Sequence, residues 1–452
     1  MPCNIFFNDS GVFLKVRVYL QKKIRVKKIS IITLGCSKNV VDSERLARQL
    51  AAVGYTVVFD SEEFTDTIII NTCGFIHDAK EESISVILNA IQAKESGLVR
   101  QVFVIGCLSE RYADELRKEL PEVDAFFGAR DVMQVLECLD IEAKTQILNE
   151  RITSTPHHTA YLKIAEGCNR SCSFCAIPAI RGPHVSLSIE NLVSEAKFLV
   201  SGGVKELSLI SQDVSYYGID RYGTGALLQL LQKLHAIDGL EWIRLHYLYP
   251  NNFPLEVLDF MRDSPKICNY LDLPLQHISD AVLERMRRGF TRKKTLNLLD
   301  TIRSKVPDIA LRTTLIVGHP GETEKQFADL LSFVQEYKFE RLGVFTYSHE
   351  EGTYAALNYK DSIPQKIKQE RADAIMEVQQ DISLAKNTVL IGKTLKVLID
   401  RIEGGGVVGR TQYDAFEVDN DVYIPNTELI PGEFYSVMID SADLYDITGH
   451  VV

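Results

Sequence analysis

Several features that would assign this chain to a membrane, to an exported class or to a nucleic-acid-binding class are missing from its sequence. It has no run of roughly 18 apolar residues, so no transmembrane helix is predicted. It shows no signal peptide, so we expect a cytoplasmic protein whose cysteines stay reduced and serve as metal ligands or catalysts. Its 50 basic residues are outnumbered by 61 acidic ones, and the net charge of −11 argues against a broad nucleic-acid footprint and favours a basic protein partner.

The first 27 residues are the exception to this acidic balance. Their basic residues are opposed by a single acidic one, Asp9. We interpret residues 1–27 as a basic, disordered extension or as a stretch upstream of the true start, in preference to a functional basic arm.

Residues 28–142 show the pattern of a doubly wound parallel α/β domain. The apolar runs KISIITLG, TIIINTC and QVFVIGC alternate with the amphipathic stretches VDSERLARQLAAVG, KEESISVILNAIQAKE and SERYADELRKEL. This alternation is typical of a parallel sheet wound with helices. A linker at 143–153 follows, and we expect His157 and His158, in the adjoining TSTPHHTA stretch, to be solvated.

Three cysteines of this domain, Cys36, Cys73 and Cys107, each stand at the end of a predicted strand. The carboxyl ends of parallel strands share one edge of the sheet, where ligands bind, so these cysteines are expected to converge. The alternative is that they pack as small buried hydrophobes. We favour a shared metal or cluster site, because each cysteine lies beside Gly or Asn, where the backbone turns. The remaining cysteines outside the central motif are interpreted as structural or incidental: Cys3, Cys138 and Cys268.

Residues 154–384 predict a partial (β/α)6 barrel. Six candidate strands, from AYLKIAEG to RLGVFTY, alternate with helical stretches such as TEKQFADLLSFVQEY. Active sites of such barrels lie at the carboxyl ends of the strands. The segment EGCNRSCSFC follows the first strand and places Cys168, Cys172 and Cys175 on a loop where this architecture holds its chemistry.

The spacing C-x3-C-x2-C is one ligand short of a structural zinc site. Structural zinc takes four ligands, and the nearby candidate for the fourth is His184. Three thiolates on one loop also fit a four-iron, four-sulfur (4Fe-4S) cluster in which one iron lacks a protein ligand. We favour the cluster and keep zinc as the alternative.

Residues 385–452 predict a small antiparallel β-barrel. Short runs such as KTLKVLID and EFYSVMIDSA are broken by Gly, Pro and Asn. From Gly392 onward, four basic residues are set against eleven acidic ones, a net charge of −7. An oligonucleotide-binding barrel is expected to be basic, so this one predicts contact with a basic partner.

The cysteine loop and several other motifs resemble a known enzyme family. C-x3-C-x2-C after the first strand of a partial barrel, with Phe174 before the last cysteine, resembles the radical S-adenosylmethionine (SAM) superfamily. Within it, LGCSKNVVDSE, NTCGFI and IGCLSER resemble the amino-terminal domain of the methylthiotransferases. LISQD, LPLQHISD and GHPGETE resemble their radical core, and GRTQYDAFEVD resembles their TRAM barrel. The SKN and DAFEVD stretches are similar to the members that modify an aspartate of ribosomal protein S-twelve.

The resemblance implies an activity and its cofactors. The three loop cysteines would hold one 4Fe-4S cluster and the three strand-end cysteines a second. SAM would serve as radical precursor and as methyl donor, and the product would be a methylthio group on the β-carbon of an aspartate. The implied partners are the basic ribosomal protein S-twelve, bound through the acidic TRAM barrel, and an electron donor such as flavodoxin or ferredoxin.

Candidate SAM contacts lie in the central domain. Gln212, Asp213 and Glu322 stand in predicted loops after strands, and Arg312 stands in a strand that faces the barrel, where a buried charge needs a partner. The loop residues could instead cap helices or face solvent at the rim. Two other functions stay open: a tRNA adenosine methylthiotransferase, which would share both clusters, and a non-catalytic zinc scaffold.

Overall fold

The computed structural model describes residues 28–61, 63 and 65–452, and contains two parallel sheets followed by a closed barrel. The predicted extension at 1–27 lies outside the described residues. Among the described helices, none combines the length and the apolar character that a bilayer span requires.

The amino-terminal domain is a parallel five-stranded sheet with helices on both faces. Its elements are β1 (Lys28–Thr33), α1 (Ser37–Ala51), β2 (Thr56–Phe59), β3 (Thr67–Thr72), α2 (His77–Glu95), β4 (Gln101–Gly106), α3 (Cys107–Glu119), β5 (Ala125–Phe126) and α4 (Gln134–Cys138). The strand order is β2-β1-β3-β4-β5. Ile68 and Ile70 of β3 pack with α2, whereas Ile69 packs with α1, as expected of a strand buried on both faces. The prediction missed the edge strands β2 and β5, which are too short to show a pattern.

The central domain has six parallel strands that do not close into a full barrel, which agrees with the predicted partial (β/α)6 barrel. Its elements are β6 (Thr159–Lys163), β7 (Ala165–Glu166), α5 (Ile177–Arg181), β8 (Val185–Ser186), α6 (Ile189–Ser201), β9 (Glu206–Ile210), α7 (Ile219–Tyr222), α8 (Leu227–His235), β10 (Trp242–Leu245), α9 (Glu256–Asp263), β11 (Ile267–Asp272), α10 (Asp280–Arg285), α11 (Arg292–Lys305), β12 (Ala310–Val317), α12 (Glu324–Tyr337), β13 (Arg341–Thr346), α13 (Tyr354–Asn358) and α14 (Gln365–Thr388). The order is β13-β12-β11-β10-β9-β6, and β7 pairs with β8 in a separate ribbon.

The carboxy-terminal domain is a closed five-stranded barrel. Its strands are β14 (Thr394–Glu403), β15 (Gly406–Arg410), β16 (Val422–Pro425), β17 (Phe434–Ala442) and β18 (Ile447–Val451), in the order β14-β15-β16-β18-β17. The predicted barrel is confirmed, with one parallel pair, β16 and β18, that the alternation did not predict.

The amino-terminal domain extends across the carboxyl ends of the central strands. Asp42 of α1 forms an ion pair with Lys163, the last residue of β6, at one edge of the sheet. Beyond β13, at the other edge, Glu350 accepts a hydrogen bond from Lys80 of α2 at 2.9 Å. The amino-terminal domain is thus held at both edges of the rim where a barrel of this type carries its active site.

The terminal barrel packs on the opposite, amino-terminal ends of the central strands. Glu206, the first residue of β9, accepts a hydrogen bond from Arg410 of the barrel at 2.8 Å. Trp242, the first residue of β10, packs edge-on against Phe434, with ring centroids 4.8 Å apart. This docking buries His158, whose Nε2 lies 2.8 Å from Asp400 Oδ1.

The expectation that both linker histidines are solvated is therefore wrong for His158. It immediately precedes β6 and is covered when the barrel docks, whereas His157 is exposed as expected.

Candidate active site

The structure brings the three strand-end cysteines to one edge of the amino-terminal sheet. Cys36 precedes α1 and follows β1, Cys73 directly follows β3, and Cys107 begins α3 directly after β4. Strands β1, β3 and β4 are neighbours in the sheet. Gly35 permits the close approach: its φ is +90°, and a Cβ there would lie 2.6 Å from the Cβ of Cys73. We call these residues the strand-end triad.

Burial shapes the acidity of the strand-end triad. It raises the pKa of Cys73 and raises that of Cys107 to about 12, against a smaller opposite effect of Arg181 on Cys107. Thiols of this kind become thiolates at neutral pH when a metal coordinates them, because a coordinating thiol is deprotonated outright.

The second set, Cys168, Cys172 and Cys175, lies on a loop closed at its base by the β7–β8 ribbon. The Cys168 amide donates to the Gly182 carbonyl at 3.1 Å, and the Ser173 amide donates to the Met286 carbonyl at 2.9 Å. These bonds hold the loop between the cysteines in one conformation. We call the three residues the loop triad.

The cysteines of the loop triad are half-buried, and two of their sulfur atoms accept hydrogen bonds from arginines. Arg288 Nη1 donates to Cys172 Sγ at 3.2 Å, and the amide of Arg170 donates to Cys168 Sγ at 3.4 Å. Burial raises the pKa of Cys168 to about 11 and that of Cys175 to about 12. The three thiols therefore suit a metal centre, because coordination to the metal deprotonates them.

In neither triad do all three sulfur atoms lie within 4.8 Å of one another. Zinc at 2.3 Å from tetrahedral sulfurs holds them about 3.8 Å apart. Among the described residues, the one group of three His, Cys, Asp or Glu ligand atoms within 4.8 Å of each other is an exposed set that contains no cysteine. His184 hydrogen-bonds to Ser186 at 3.2 Å and packs on Tyr216. Its Nδ1 atom is buried without a hydrogen-bond partner among the described residues, so these contacts do not exclude His184 as a ligand.

Buried ion pairs join the two triads. Arg181, six residues after Cys175, donates to Asp42 Oδ2 at 2.8 Å and to Asn39 Oδ1 at 2.5 Å on the first turns of α1. It also donates to Glu166 Oε2 at 3.1 Å, close before Cys168. Burial by itself would raise the pKa of Glu166, but Lys163 and Arg181 lower it to about 2. The carboxylate is therefore ionised and holds the cysteine loop against the other domain.

Direct packing also connects the triads. Cys107 belongs to one buried apolar cluster with Ala176 and Ile180 of the central domain. Ala176 is the residue after Cys175, so Cys107 of the strand-end triad packs against the segment that directly follows the loop triad.

The four SAM candidates divide by location. Gln212 donates to Glu166 Oε1 at 3.1 Å, and Asp213 accepts from Arg170 Nε at 2.7 Å, so both lie beside the cysteine loop. Glu322 lies buried in the turn after β12, where its Oε1 atom lies 3.5 Å from Arg371 Nη1. Arg312 lies apart from the triads, toward the terminal barrel, where it pairs with Asp272 and Asp419, the latter a barrel residue.

Three family profiles match the chain in succession. They are described as Uncharacterized protein family UPF0004 at residues 28–128, Radical SAM superfamily at 162–334 and TRAM domain at 391–452. Relatives named ribosomal protein uS12 methylthiotransferase RimO match nearly the full length. The relative from Porphyromonas gingivalis is 50% identical over 433 residues, which are 95% of this chain and 100% of the relative. The relative from Christiangramia forsetii is 52% identical over 430 residues, 95% of each chain, and that from Bacteroides fragilis is 52% identical over 94% of this chain and 99% of the relative.

This chain belongs to the RimO family of radical SAM methylthiotransferases. Membership confirms the resemblance inferred from the sequence and makes the chain an enzyme. It favours neither the zinc scaffold nor the tRNA-modifying alternative.

Solved structures support the fold of this RimO-family chain. The radical SAM methyltransferase TsrM from Kitasatospora setae superposes with a TM-score of 0.52 at 14% identity, covering 71% of this chain and 75% of TsrM. The cobalamin-dependent radical SAM enzyme OxsB superposes with a TM-score of 0.50 at 13% identity, covering 76% of this chain and 56% of OxsB. At these identities the likeness concerns the fold alone.

The radical SAM superfamily implies a 4Fe-4S cluster and SAM, and the RimO-family site fits them. Three buried polar atoms at the rim have no hydrogen-bond partner among the described residues: Gln212 Oε1, His246 Nε2 and Gln276 Oε1. They follow β9, β10 and β11, which are neighbours in the sheet. Buried polar groups are nearly always hydrogen-bonded, so this rim suits a polar ligand beside the loop triad.

Several residues of this site were not predicted from the sequence. Arg181, Glu166 and Arg288 contact the triads or their loops, although sequence reasoning assigned them no role. Arg181 lies in RSCSFCAIPAIRG, the segment that contains Cys172 and Cys175, and Arg288 lies in the segment MRRGFTR. In the sequence, the available sign of a functional role was that these charged residues stand among apolar neighbours.

Proposed function

We propose that this protein transfers a methylthio group to the β-carbon of an aspartate in ribosomal protein uS12, using SAM and two 4Fe-4S clusters. The observation that supports it most is the pair of cysteine triads, facing one another across buried ion pairs. The chain is also 50% to 52% identical to RimO relatives over nearly its whole length. Replacing an unactivated C–H bond with C–S–CH3 needs hydrogen abstraction and a separate source of sulfur, and two triads offer a place for each.

The bound groups and the residues of the chain would have separate roles in this reaction. When bound, the clusters and SAM supply the radical, the sulfur and the methyl group. The loop triad and the strand-end triad hold the two clusters. Arg181 and Glu166 hold the two loops together, and the apolar contact at Cys107 excludes water between them. Preorganisation of this kind keeps the reacting groups in place without reorganisation during the reaction.

We also propose Gln212 and Asp213 as SAM contacts, because both lie beside the cysteine loop. Glu322 is retained because it is a buried carboxylate in the turn after β12, although Arg371 already pairs with it. Arg312 is the weakest of the four, because two carboxylates already pair with its guanidinium.

The acidic barrel supports a basic protein as partner. Three of its eleven acidic residues form contacts within the junction with the central domain: Asp400, Asp414 and Asp419. Seven others are exposed: Glu403, Glu417, Glu428, Glu433, Asp440, Asp443 and Asp446. The exposed Glu433 also pairs across this junction, with Lys205. The exposed set leaves a negative surface suited to a basic ribosomal protein.

We place the reaction in the cytoplasm, with flavodoxin or ferredoxin as electron donor. The eight described cysteines are all free, as in a reducing compartment.

The test uses anaerobically purified protein, wild type beside a Cys168→Ala, Cys172→Ala, Cys175→Ala triple variant. With SAM and a reductant, wild type is expected to methylthiolate uS12, detected by mass spectrometry of the aspartate-containing peptide, and to leave tRNA unmodified. The variant should lose the product while iron falls from about eight to about four atoms per chain. Stoichiometric zinc with little iron, or modified tRNA in place of uS12, would contradict the proposal.

A further inference from the structure

Lys38 is a buried lysine without an anionic partner. Its side chain is 6% exposed, and no described residue forms a hydrogen bond or an ion pair with its ammonium. The two other buried lysines of the described chain are paired: Lys163 with Asp42 and Glu166, and Lys368 with Asp361. The contact observed for Lys38 is with an aromatic ring, that of Tyr247, whose centroid lies 3.0 Å from Nζ.

This ammonium lies at the junction between the two domains that carry the cysteine triads. Lys38 stands on the first turn of α1, two residues after Cys36. Tyr247 follows β10 at the carboxyl rim of the central sheet, and its carbonyl accepts from the Val214 amide at 3.1 Å. Val214 directly follows Asp213, which pairs with Arg170 of the cysteine loop. Lys38 therefore reaches from the strand-end triad to the rim that carries the loop triad.

The surroundings favour an incoming anion. Burying an ammonium without a paired charge costs free energy, and a ring face offsets that cost only in part. The pKa of the neighbouring His246 lies well below its ordinary value, first because of burial and then because of Arg244, Arg312 and Lys38. Both arginines are paired with carboxylates, so Lys38 is the unpaired cation of the three within the described chain. The carboxylate closest in sequence, Asp42, is already committed to Lys163 and Arg181.

We propose that Lys38 is a specificity residue that binds the side-chain carboxylate of the target aspartate. An ion pair there would hold the adjacent β-carbon between the two triads, and it would distinguish aspartate from asparagine or from a nucleobase. The inference rests on the proposed function and adds to it the group that recognises the residue to be modified.

The test compares Lys38→Met with Lys38→Arg, which keeps the charge, and with Lys118→Met, an exposed lysine of the same domain. Each variant receives a uS12 peptide that carries the target aspartate or asparagine in its place. Binding is measured by fluorescence anisotropy, and methylthiolation by mass spectrometry. Iron content and 5′-deoxyadenosine formation without peptide report on the rest of the site.

Wild type and Lys118→Met are expected to prefer the aspartate peptide. Lys38→Met should weaken its binding by roughly thirtyfold or more and abolish the preference. Lys38→Arg should retain part of the preference for the aspartate peptide. All variants should keep the iron content and the KM for SAM of the wild type.

Three results would overturn the inference. An undiminished preference for aspartate in Lys38→Met would show that the carboxylate binds elsewhere. A raised KM for SAM in the absence of peptide would assign Lys38 to the carboxylate of SAM, and a loss of iron would assign it a structural role. Failure of the proposed function is distinct from these, because wild type itself would then leave uS12 unmodified.

Discussion

At the scale of single residues, buried arginines connect the cysteine sulfurs to the rest of the protein. Arg288 is 5% exposed and donates to Cys172 Sγ, while its ring neighbours Tyr249 and Phe290 exclude water. A cationic donor at a thiolate favours the more negative, reduced state of a cluster bound there. Hydrogen bonds to sulfur and solvent exposure are among the factors that set such potentials.

We predict that Arg288→Met makes the midpoint potential of the loop-triad cluster more negative by several tens of millivolts, with iron content unchanged. The measurement is a redox titration followed by electron paramagnetic resonance. Arg287→Met is the matched control, since Arg287 is the exposed neighbour in the same MRRGFTR segment. Equal shifts in both variants would show that overall charge, not the contact with Cys172, sets the potential.

At the scale of elements, the site depends on how three neighbouring strands end. The strand-end triad converges because β1, β3 and β4 are parallel and adjacent, and because the turn after β1 can pass close to Cys73. Gly35 makes that turn at a φ of +90°, which L side chains rarely adopt.

We predict that Gly35→Ala loses the strand-end cluster selectively, because its Cβ would lie 2.6 Å from Cys73 Cβ and 2.9 Å from Cys73 Sγ. Iron should fall from about eight to about four atoms per chain, while SAM cleavage is retained and methylthiolation is lost. Gly54→Ala is the control: its φ is +92° but no atom lies within 4 Å. It should cost about 1 kcal/mol of stability and no iron, so an equal loss of iron in both variants would point to backbone strain alone.

At the scale of the whole molecule, the central sheet is covered at both ends. The amino-terminal domain lies over the carboxyl rim, and the terminal barrel is fastened to the other end by a buried ion network. Glu206 is fully buried and accepts from Arg244 at 2.9 Å and from Arg410 at 2.8 Å. Arg410 in turn donates to Asp400 at 2.6 Å.

We predict that Glu206→Gln lowers the free energy of unfolding by about 3–5 kcal/mol, because it leaves two buried guanidinium groups short of a counter-charge. Urea unfolding measures the loss. Glu241→Gln is the control, since Glu241 forms a half-exposed pair with Lys396 across the same junction. It should cost less than about 1 kcal/mol, and equal losses would contradict a special role for the buried network.

The same carboxylate predicts a pH dependence. Burial would raise the pKa of Glu206, but Arg410 and Arg244 lower it to about 2 from its ordinary 4.5. A depressed pKa in the folded state contributes stability that is complete above the ordinary value and is lost as pH falls toward 2. The stability of wild type should therefore drop between these two values, and Glu206→Gln should show a flatter pH profile in the same unfolding experiment.

The sequence predicted the architecture well, and the assignment of the six cysteines to two clusters stays a prediction. The six strands of the central domain and the three strands that carry the strand-end triad were located, because apolar periodicity is read within a few neighbouring residues. Strands β2, β5 and β18 were missed, since their runs are short or lie at the margins of the pattern. The sequence also predicted solvation of His158, which the docked barrel buries.

What the sequence by itself determined is local: strand and helix periodicity, the C-x3-C-x2-C spacing, the cysteines at strand ends and the charge of the terminal barrel. What only the tertiary structure decided is pairing across long separations. Arg181 meets Asp42 from 139 residues away, and His158 meets Asp400 from 242 residues away. Lys38 is distinguished by the absence of such a pair among the described residues. A buried charge is paired with whichever group the folded chain places beside it. That group can be far away in the sequence, so the spacing of residues along the chain does not reveal it.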